Sequence, residues 1–272
     1  MKRTYLAVLA TMTCLAGCSN TSEPSNTGED TTFTVGMECG YPPFNYQSNS
    51  DSESAVKIDG GYCDGYDVMV AQYIADELGQ TLEVKKMAWN GLGVALEAGE
   101  IDAIIAGMTA DEQREEGIDF TSAYYDSHGM VMIVRKDSEQ ASYTSIQDFN
   151  GKNVIGQLNT NYDTVIDQID GVNHVTPKAT YPEMVVALQA NDVDAITAEL
   201  AVANGIVAAN PDLMILSFTE GNGFDCDTSV SIGLKEGSRG NEFFNAVEDA
   251  LQKLDESTRL AMMEQSIANQ GE

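Results

Sequence analysis

Short apolar runs alternate with segments of helical periodicity from residue 32 onward. The run Thr32–Met37 is rich in β-branched and aromatic residues, which predicts a strand. In Tyr66–Leu78 the apolar residues recur at helical spacing and Gly79 follows as a C-terminal cap, which predicts a helix. Strands that alternate with helices predict an α/β fold with parallel sheets flanked by helices. The next expected elements are strands at 81–87 and 103–106 and a helix at 91–98.

An internal repeat divides this pattern into two units. Residues 94–107 read VALEAGEIDAIIAG and residues 186–199 read VALQANDVDAITAE, so eight of fourteen positions are identical at an offset of 92. A helix, a turn and a buried strand recur, which predicts two similar α/β lobes. The alternative is convergence on a common helix–turn–strand composition.

The ends of the repeated strands are candidates for a binding site. Ligands of open α/β sheets bind at the carboxyl ends of the strands. The first repeated strand leads into Ala106, Gly107 and Thr109, and the second ends at Glu199. If the two lobes face each other, these ends line a shared cleft.

Arg114 comes shortly after the first of these strand ends. Thr109 and Glu112 fit a capping box, which predicts a helix that starts at Thr109 with its free N–H groups at the cleft. A helix N-terminus beside an arginine fork is a site for a carboxylate. The alternative is that Arg114 lies on an acidic surface and pairs with Glu115 or Glu116.

The second lobe offers a donor-rich loop and a carboxylate. Gln157, Thr160 and Asn161 follow a predicted strand and open a helix that is expected to run to about Ile169. The side chains and backbone amides of this loop favour an anion. Glu199 can receive an ammonium group, although in a chain with 43 acidic residues it can also be a surface carboxylate.

Aromatic and acidic side chains follow the first strands. Pro42 and Pro43 hold Tyr41 in an extended segment, Glu38 lies in the same turn, and Trp89 precedes the next helix. Rings in these places can sandwich a flat or cationic group. The alternative is that Tyr41 and Trp89 are ordinary core residues.

The N-terminus indicates export. Lys2 and Arg3 precede an apolar stretch that is too short to span a membrane, and this stretch runs into LAGC, which ends at Cys18 and resembles the bacterial lipobox. We therefore expect residues 1–18 to comprise a lipoprotein signal peptide and the lipidated cysteine. Residues 19–31 contain no hydrophobic side chain, which predicts a flexible tether. A signal-anchor helix with a chance cysteine is the alternative.

Three further cysteines, Cys39, Cys63 and Cys226, follow the lipobox. An exported protein can form a disulfide, and Cys39–Cys63 is the pairing closest in sequence. Three separate buried thiols remain the alternative.

Composition excludes several classes of function. The chain has 272 residues, of which 43% are apolar, and this is enough for a folded protein of two modest lobes. Its net charge of −29 disfavours a nucleic-acid partner. Because His128 and His174 are the only histidines and no Cys-x-x-Cys pair occurs, we expect neither a metal site nor a cofactor.

Longer segments carry a specific resemblance. From Thr32 to Gln270 the chain resembles the polar amino acid family of ABC-transporter solute-binding proteins, extracellular solute-binding protein family 3. The matching segments are GMECGYPPF (36–44), DGYDVMVA (64–71), WNGLGVALEAGEIDAIIAGMTADEQR (89–114), IDFTSAYY (118–125), QDFNGKNVIGQLNT (147–160) and VDAITAE (193–199).

The resemblance implies a type II periplasmic-binding-protein-like fold. Each of two lobes is expected to hold a mixed β-sheet flanked by helices, and two crossing strands are expected to form a hinge between them. The implied bounds are 32–126 and 228–272 for lobe 1, 127–227 for lobe 2, Gly129–Arg135 and Thr228–Leu234 for the crossing strands, and Asn241–Leu254 and Ser257–Asn269 for two helices that close on lobe 1.

The resemblance also implies residue roles. Arg114 is expected to bind the ligand carboxylate and Glu199 its ammonium group, while Tyr41 and Trp89 sandwich the side chain and Glu38 and Gln157 contact its polar end. Family members more often have Asp where Glu38 and Glu199 stand, and glycine or threonine where Asn159 stands. The complete implied set of ligand-binding residues is Glu38, Tyr41, Trp89, Ala106, Gly107, Thr109, Arg114, Gln157, Thr160, Asn161 and Glu199.

The implied function is non-enzymatic capture of a free L-amino acid and its delivery to the permease and ATPase of an ABC importer. Glu38 beside aromatic walls favours arginine, then lysine or histidine, and Gln157 keeps glutamine open. The rivals are an enzyme on the same fold, such as a dehydratase, and a ligand sensor, but no Ser–His–Asp or Gly-x-Ser-x-Gly motif appears. We expect a monomer, anchored by its lipid to the outer face of a Gram-positive cell membrane.

Overall fold

The structure is a computed structural model that describes residues 32–126 and 129–270. The predicted signal peptide, Cys18, the tether at 19–31 and His128 lie outside the described residues. The strands are β1 (Thr32–Met37), β2 (Gly40–Tyr41), β3 (Asn45–Ser48), β4 (Val56–Ile58), β5 (Gly61–Asp64), β6 (Thr81–Lys86), β7 (Ala103–Ile104), β8 (Ile118–Asp126), β9 (Met130–Arg135), β10 (Asn153–Ile155), β11 (Asn173–His174), β12 (Ala195–Glu199), β13 (Leu213–Leu216) and β14 (Ser229–Lys235). The α-helices are α1 (Tyr66–Leu78), α2 (Leu92–Ala98), α3 (Asn161–Thr164), α4 (Tyr181–Gln189), α5 (Leu200–Ala209), α6 (Glu242–Lys253) and α7 (Glu256–Asn269). Short 3-10 helices occupy Trp89–Gly91, Arg114–Glu116, Glu139–Ser142, Ile146–Phe149 and Val165–Gln168.

Two five-stranded mixed sheets form the cores of the two lobes. The strand order is β6-β1-β7-β14-β8 in the first sheet and β11-β10-β12-β9-β13 in the second. The central strand of each sheet, β7 or β12, has one parallel neighbour and one antiparallel neighbour. This is the mixed-sheet, two-lobed α/β architecture that the sequence predicts.

The internal repeat occupies equivalent places in the two lobes. Its helices are α2 and α4, and its strands are the central strands β7 and β12. The repeated aspartates make the same contacts with the adjacent parallel strand: Asp102 accepts a hydrogen bond from the N–H of Thr34, and Asp194 accepts one from the N–H of Asn153, each at 2.8 Å. The backbone N–H of each aspartate donates in return to the carbonyl of the same neighbour, again at 2.8 Å. Equivalent position and equivalent hydrogen bonding argue against chance convergence.

The chain passes between the two sheets at adjacent points. β8 ends at Asp126, which pairs with Ser229 at the start of β14, and β9 begins the second sheet at Met130. Of the two strands expected to cross, β9 lies in the second sheet and β14 in the first, so the crossings fall at their ends. Two adjacent connections of this kind allow the lobes to rotate about a hinge.

A small third sheet extends lobe 1 beside the cleft. Its strand order is β2-β3-β5-β4. Sequence analysis missed it because strands of two to four residues are too short to show alternation. Cys39 and Cys63 form the favoured disulfide and tie the loop after β1 to β5, with their Cα atoms 5.7 Å apart. Cys226 is the free cysteine among the described residues.

The two C-terminal helices begin at side-chain caps, within a residue of their predicted starts. Asn241 accepts a hydrogen bond from the N–H of Phe244 at the start of α6, and Asp255 accepts one from the N–H of Thr258 at the start of α7. Lys253 at the end of α6 pairs with Glu77 of α1 at 2.7 Å, so α6 packs on lobe 1 as expected. Across the described ranges, no helix has both the length and the apolar character needed to cross a bilayer.

Candidate ligand-binding site

The first wall of the cleft is built from segments that follow neighbouring strands. Glu38 follows β1, Trp89 follows β6 and Thr109 follows β7. Because β6, β1 and β7 are parallel neighbours, their carboxyl ends meet at one edge of the sheet. That edge is where open α/β sheets bind ligands.

The second wall comes from the corresponding edge of the other sheet. Gln157 follows β10 and Glu199 ends β12, which are parallel neighbours. Thr160 caps α3, and its hydroxyl donates to the carbonyl of Gln157 at 2.8 Å. The helix expected to open from this loop and run to about Ile169 is present: it begins at Asn161 with one α-helical turn and continues as a 3-10 helix to Gln168. So short a helix has little dipole, and the side chains therefore dominate this wall.

The two walls enclose one pocket. The volume left between the side chains is about 10 Å³, which is about the room that one water needs. A larger ligand therefore enters only when the walls separate. Nine of the eleven residues implied by the resemblance line this pocket, and their roles in binding stay predictions. The lining residues are Glu38, Tyr41, Trp89, Gly107, Thr109, Arg114, Gln157, Thr160, Asn161 and Tyr162.

Arg114 lies between the two walls, with 15% of its side chain exposed. Its guanidinium donates to the carbonyl of Thr109 at 2.7 Å and, from the opposite wall, to the carbonyl of Asn159 at 3.2 Å. Asp111 lies 3.3 Å from it, and the Trp89 ring centroid lies 5.4 Å from the guanidinium carbon. Burial lowers the pKa of Arg114, against the opposing charge of Asp111, yet arginine stays protonated at neutral pH. This buried cation is suited to a carboxylate.

Glu199 is fully buried and accepts a hydrogen bond from the Tyr41 hydroxyl across the cleft. It is therefore not the surface carboxylate of the alternative interpretation. Tyr162 and Tyr181 are also buried nearby, and the rings of Tyr41 and Tyr181 lie 5.4 Å apart. Burial first, and the charge of Glu199 second, raise the pKa of all three phenols well above the usual value. A carboxylate among neutral phenols attracts a cation such as an ammonium group.

Glu38 and Gln157 meet across the other end of the pocket. The Gln157 amide donates to the Glu38 carboxylate at 3.3 Å and to the carbonyl of Ala179 at 3.0 Å. Burial raises the pKa of Glu38, and the hydrogen bond from Gln157 opposes this shift. A partly desolvated carboxylate is a site for a donor or a cation.

Gly107 brings its backbone against the Tyr41 ring. Its φ is +61°, and a Cβ added to it would lie 2.8 Å from Cε1 of Tyr41, so a larger residue does not fit. Its N–H donates to the hydroxyl of Tyr124 at 3.1 Å, which in turn donates to Asp67 at 2.6 Å. Burial raises the pKa of Asp67 to about 6, despite hydrogen bonds from Tyr124 and Asn45. Asp67 therefore supports the wall of the pocket from beneath.

One prediction about the first wall is wrong. No helix starts at Thr109; the chain turns once at Asp111, whose carboxylate accepts a hydrogen bond from the N–H of Arg114 at 2.8 Å, and only a 3-10 helix follows. Asp111, whose carbonyl also accepts from the N–H of Glu115, thus takes the capping role that Thr109 was expected to have. Ala106 and Glu199, the other two of the eleven expected residues, are buried and do not line the pocket, and their roles in binding also stay predictions. The alternative pairing of Arg114 with Glu115 also fails, since Glu115 pairs with Arg239.

Two of the three tyrosines near Glu199, Tyr162 and Tyr181, were not predicted from the sequence. Tyr162 directly follows Asn161 in the predicted loop, and that position was the available signal. Tyr181 is the first residue of α4 and follows the N-cap residue Thr180, which forms a capping box with Glu183. This sequence signal predicts the start of the helix but does not reveal that Tyr181 contacts the cleft. Within residues 32–126 and 129–270, no group of three or more His, Cys, Asp or Glu side chains is placed to hold a metal ion.

Comparison with known families agrees with this geometry. A profile of the bacterial extracellular solute-binding proteins, family 3, matches residues 33–268. The chain belongs to this family. Its members are non-enzymatic binding proteins, which removes the dehydratase alternative.

Individual members of the family are similar over most of their length. The probable histidine-binding protein of Campylobacter jejuni is 28% identical over 220 residues, 79% of this chain and 80% of the relative. The L-cystine-binding protein TcyJ of Escherichia coli is 29% identical over 224 residues, 82% of this chain and 77% of the relative. Among solved structures, the amino acid ABC transporter substrate-binding protein AbpA of Streptococcus pneumoniae, bound to L-arginine, superposes with a TM-score of 0.76 at 27% identity, over 89% of this chain and 96% of that one. The predicted two-lobed fold is thereby confirmed.

Proposed function

We propose that this family 3 binding protein captures a cationic amino acid, L-arginine in preference to L-lysine or L-histidine, and delivers it to the permease and ATPase of an ABC importer. The observation that carries the proposal is the charge at the pocket: Glu38 and Arg114 line it, and the buried Glu199 accepts a hydrogen bond from the lining residue Tyr41. The zwitterionic head of an amino acid matches Arg114 and Glu199. Glu38 is then left for a positive charge on the ligand side chain.

The shape of the pocket supports the same placement. Arg114 binds the ligand carboxylate at one end, and Glu199 binds the ammonium group beneath Tyr41. The side chain then lies between Tyr41 and Trp89, which both line the pocket, and its guanidinium reaches Glu38. A flat cation between aromatic rings gains from cation–π attraction as well as from the carboxylate.

Relatives support an amino acid as the ligand but do not select its side chain. AbpA holds L-arginine, whereas relatives of similar identity are named for histidine and L-cystine. Identity of this order therefore leaves the side chain open. The partly buried Glu38 in the pocket lining, together with the fully buried Glu199 behind Tyr41, is what favours arginine.

Glutamine is the second candidate. The Gln157 amide already pairs with Glu38, and the two together present a donor and an acceptor to a ligand carboxamide. Glutamine would use the same head-group contacts and would leave the charge of Glu38 uncompensated.

Capture involves closure of two lobes, which we assign to residues 32–126 with 228–272 and to residues 127–227. The connections beside Asp126 and Ser229 form the hinge, and the tight pocket requires the lobes to open for entry. We propose that the mature protein is a monomer held to the outer face of a Gram-positive cell membrane by a lipid on Cys18, with residues 19–31 as the tether.

A thermal-shift scan of the purified protein with the twenty amino acids tests the proposal. A ligand at a hundredfold excess over its Kd stabilises the folded state by about 2.7 kcal/mol. We expect L-arginine to give the largest shift and L-citrulline, its neutral analogue of similar shape, a much smaller one. A larger shift with L-glutamine would favour the second candidate, and no shift with any amino acid would refute the proposal.

A further inference from the structure

Asn159, in the loop between β10 and α3, makes three hydrogen bonds to the opposite wall of the cleft. Its carbonyl accepts from the indole Nε1 of Trp89 at 3.1 Å and from Arg114 at 3.2 Å, and its side-chain amide donates to the Asn90 side chain at 2.8 Å. Asn159 does not line the pocket. One residue of the second lobe thus bonds to three residues of the first.

The backbone of Asn159 is left-handed, with φ of +61°. Asparagine tolerates this conformation better than most residues other than glycine, because its short polar side chain bonds locally or to near neighbours. The conformation sets the direction of the Asn159 carbonyl, and that oxygen contacts the indole N–H and the guanidinium together. The side-chain bond to Asn90 holds the loop in this place.

The two groups that donate to this carbonyl, the Arg114 guanidinium and the Trp89 indole, are also groups that contact the ligand in the proposed function. The guanidinium of Arg114 lies over the Trp89 ring and is also held from its own lobe by Thr109 and Asp111. The carbonyl of Asn159 adds a restraint from the second lobe, which forms only when the lobes close. Closure of the lobes therefore restrains the Arg114 guanidinium and the Trp89 ring together.

We infer that Asn159 is a positioning residue for ligand capture: in the closed protein its carbonyl orients Arg114 and Trp89, and its amide bond to Asn90 slows reopening. The inference rests on the proposed function, because it assumes that an amino acid binds between the walls. Contacts that form only on closure act on dissociation, so their loss raises the rate of ligand release and leaves the association rate unchanged.

Two variants separate the side chain of Asn159 from its backbone. Asn159→Gly keeps the left-handed backbone and the carbonyl but removes the amide, and Asn90→Ala removes the acceptor of the same bond. Each variant should release the bound amino acid about threefold to tenfold faster, which is the usual net effect of one hydrogen bond. Because both remove the same bond, the double variant should release it no faster than either single variant.

A third variant tests the carbonyl. Asn159→Ala places an ordinary side chain in the left-handed region, so the loop shifts and the carbonyl leaves both partners. Release should then be faster than in Asn159→Gly. Trp89 is the only tryptophan in the chain, so its fluorescence reports its own hydrogen bond. The change in emission on ligand binding should persist in Asn159→Gly and be lost or altered in Asn159→Ala.

The matched control is Asn191→Gly, which makes the same change at another left-handed asparagine, with φ of +64°, at the exposed end of α4. Stopped-flow release is measured with whichever of the twenty amino acids gives the largest thermal shift, and melting without amino acid checks that each variant folds. The inference is overturned if Asn159→Gly and Asn90→Ala release the amino acid at the wild-type rate. It is also overturned if the effects of the two substitutions multiply in the double variant, or if Asn191→Gly raises the release rate as much as Asn159→Gly does. In each of these cases the proposed function stands. If no amino acid binds the wild type, the proposed function fails and the inference fails with it.

Discussion

The hydroxyl of Tyr41 donates a hydrogen bond to the carboxylate of Glu199, and this bond joins the two walls of the pocket at a fully buried acid. Tyr41 also stacks on Phe44, with ring centroids 5.6 Å apart, so the ring position does not depend on the hydroxyl. Removing the hydroxyl therefore tests the hydrogen bond without disturbing the packing of the Tyr41 ring.

Tyr41→Phe should lower the free energy of unfolding by about 1–3 kcal/mol, because a buried carboxylate loses a donor while the ring packing is kept. Chemical denaturation measures the change, with Tyr62→Phe, at a partly exposed tyrosine of β5, as the control. A ligand ammonium would supply Glu199 with a new partner, so saturating L-arginine should reduce the difference. Equal stability of variant and wild type would show that the bond contributes nothing.

Arg114→Ala should weaken amino-acid binding at least about a hundredfold, or about 3 kcal/mol, because the ligand carboxylate loses its charged partner in a desolvated site. Isothermal titration calorimetry checks this. The control is Arg239→Ala, which removes a lobe 1 arginine whose side chain is 57% exposed. Wild-type affinity in Arg114→Ala would disprove its assignment to the carboxylate.

Glu38→Gln should distinguish a cationic ligand from a neutral one. For L-arginine the loss should be about 2–5 kcal/mol, since a buried cation is left without its partner. For L-glutamine it should be about 1 kcal/mol, the value of one hydrogen bond. Glu97→Gln, at an exposed position of α2, controls for net charge. An unchanged affinity for L-arginine would remove the cationic assignment and favour glutamine.

Asp67 should make stability depend on pH in an unusual direction. Burial raises the pKa of its carboxyl from 3.8 to about 6, so between these values the folded protein holds a proton that the unfolded chain releases. This contribution is therefore complete below pH 4 and is lost as the pH rises through 6, a change of about 3 kcal/mol. The free energy of unfolding of the wild type, minus that of Asp67→Asn, should fall by this amount between pH 3 and pH 7. A difference that stays constant or rises with pH would contradict the raised pKa of Asp67.

Cys18→Ser should release the protein from the membrane without altering its fold, since residues 19–31, the predicted tether, contain no hydrophobic side chain. Fractionation after a carbonate wash, followed by thermal melting of the soluble form, measures both effects. A variant that remains in the membrane fraction would contradict the lipoprotein assignment.

The architecture could be predicted because its signals are local or repeated. The helix at Tyr66–Leu78 shows its period and its glycine cap within a single segment, and the repeated aspartates Asp102 and Asp194 mark equivalent strands in the two lobes. The strand ends then indicate where a ligand binds, whatever the details of packing.

The contacts within the pocket could not be predicted in the same way. Glu38 meets Gln157 across 119 positions of sequence and Tyr41 meets Glu199 across 158, so only the closed fold brings them together. The failed helix at Thr109 has a different cause: Thr and Asp are both good N-cap residues, and Asp111, two positions after Thr109, caps the single turn that forms.

The most direct test is a crystal structure of the protein grown with all twenty amino acids at equal concentration. We predict L-arginine in the cleft, with its carboxylate on Arg114, its ammonium group on Glu199 and its guanidinium between Tyr41 and Trp89 beside Glu38. An acidic amino acid in the cleft, or a ligand whose carboxylate avoids Arg114, would contradict it.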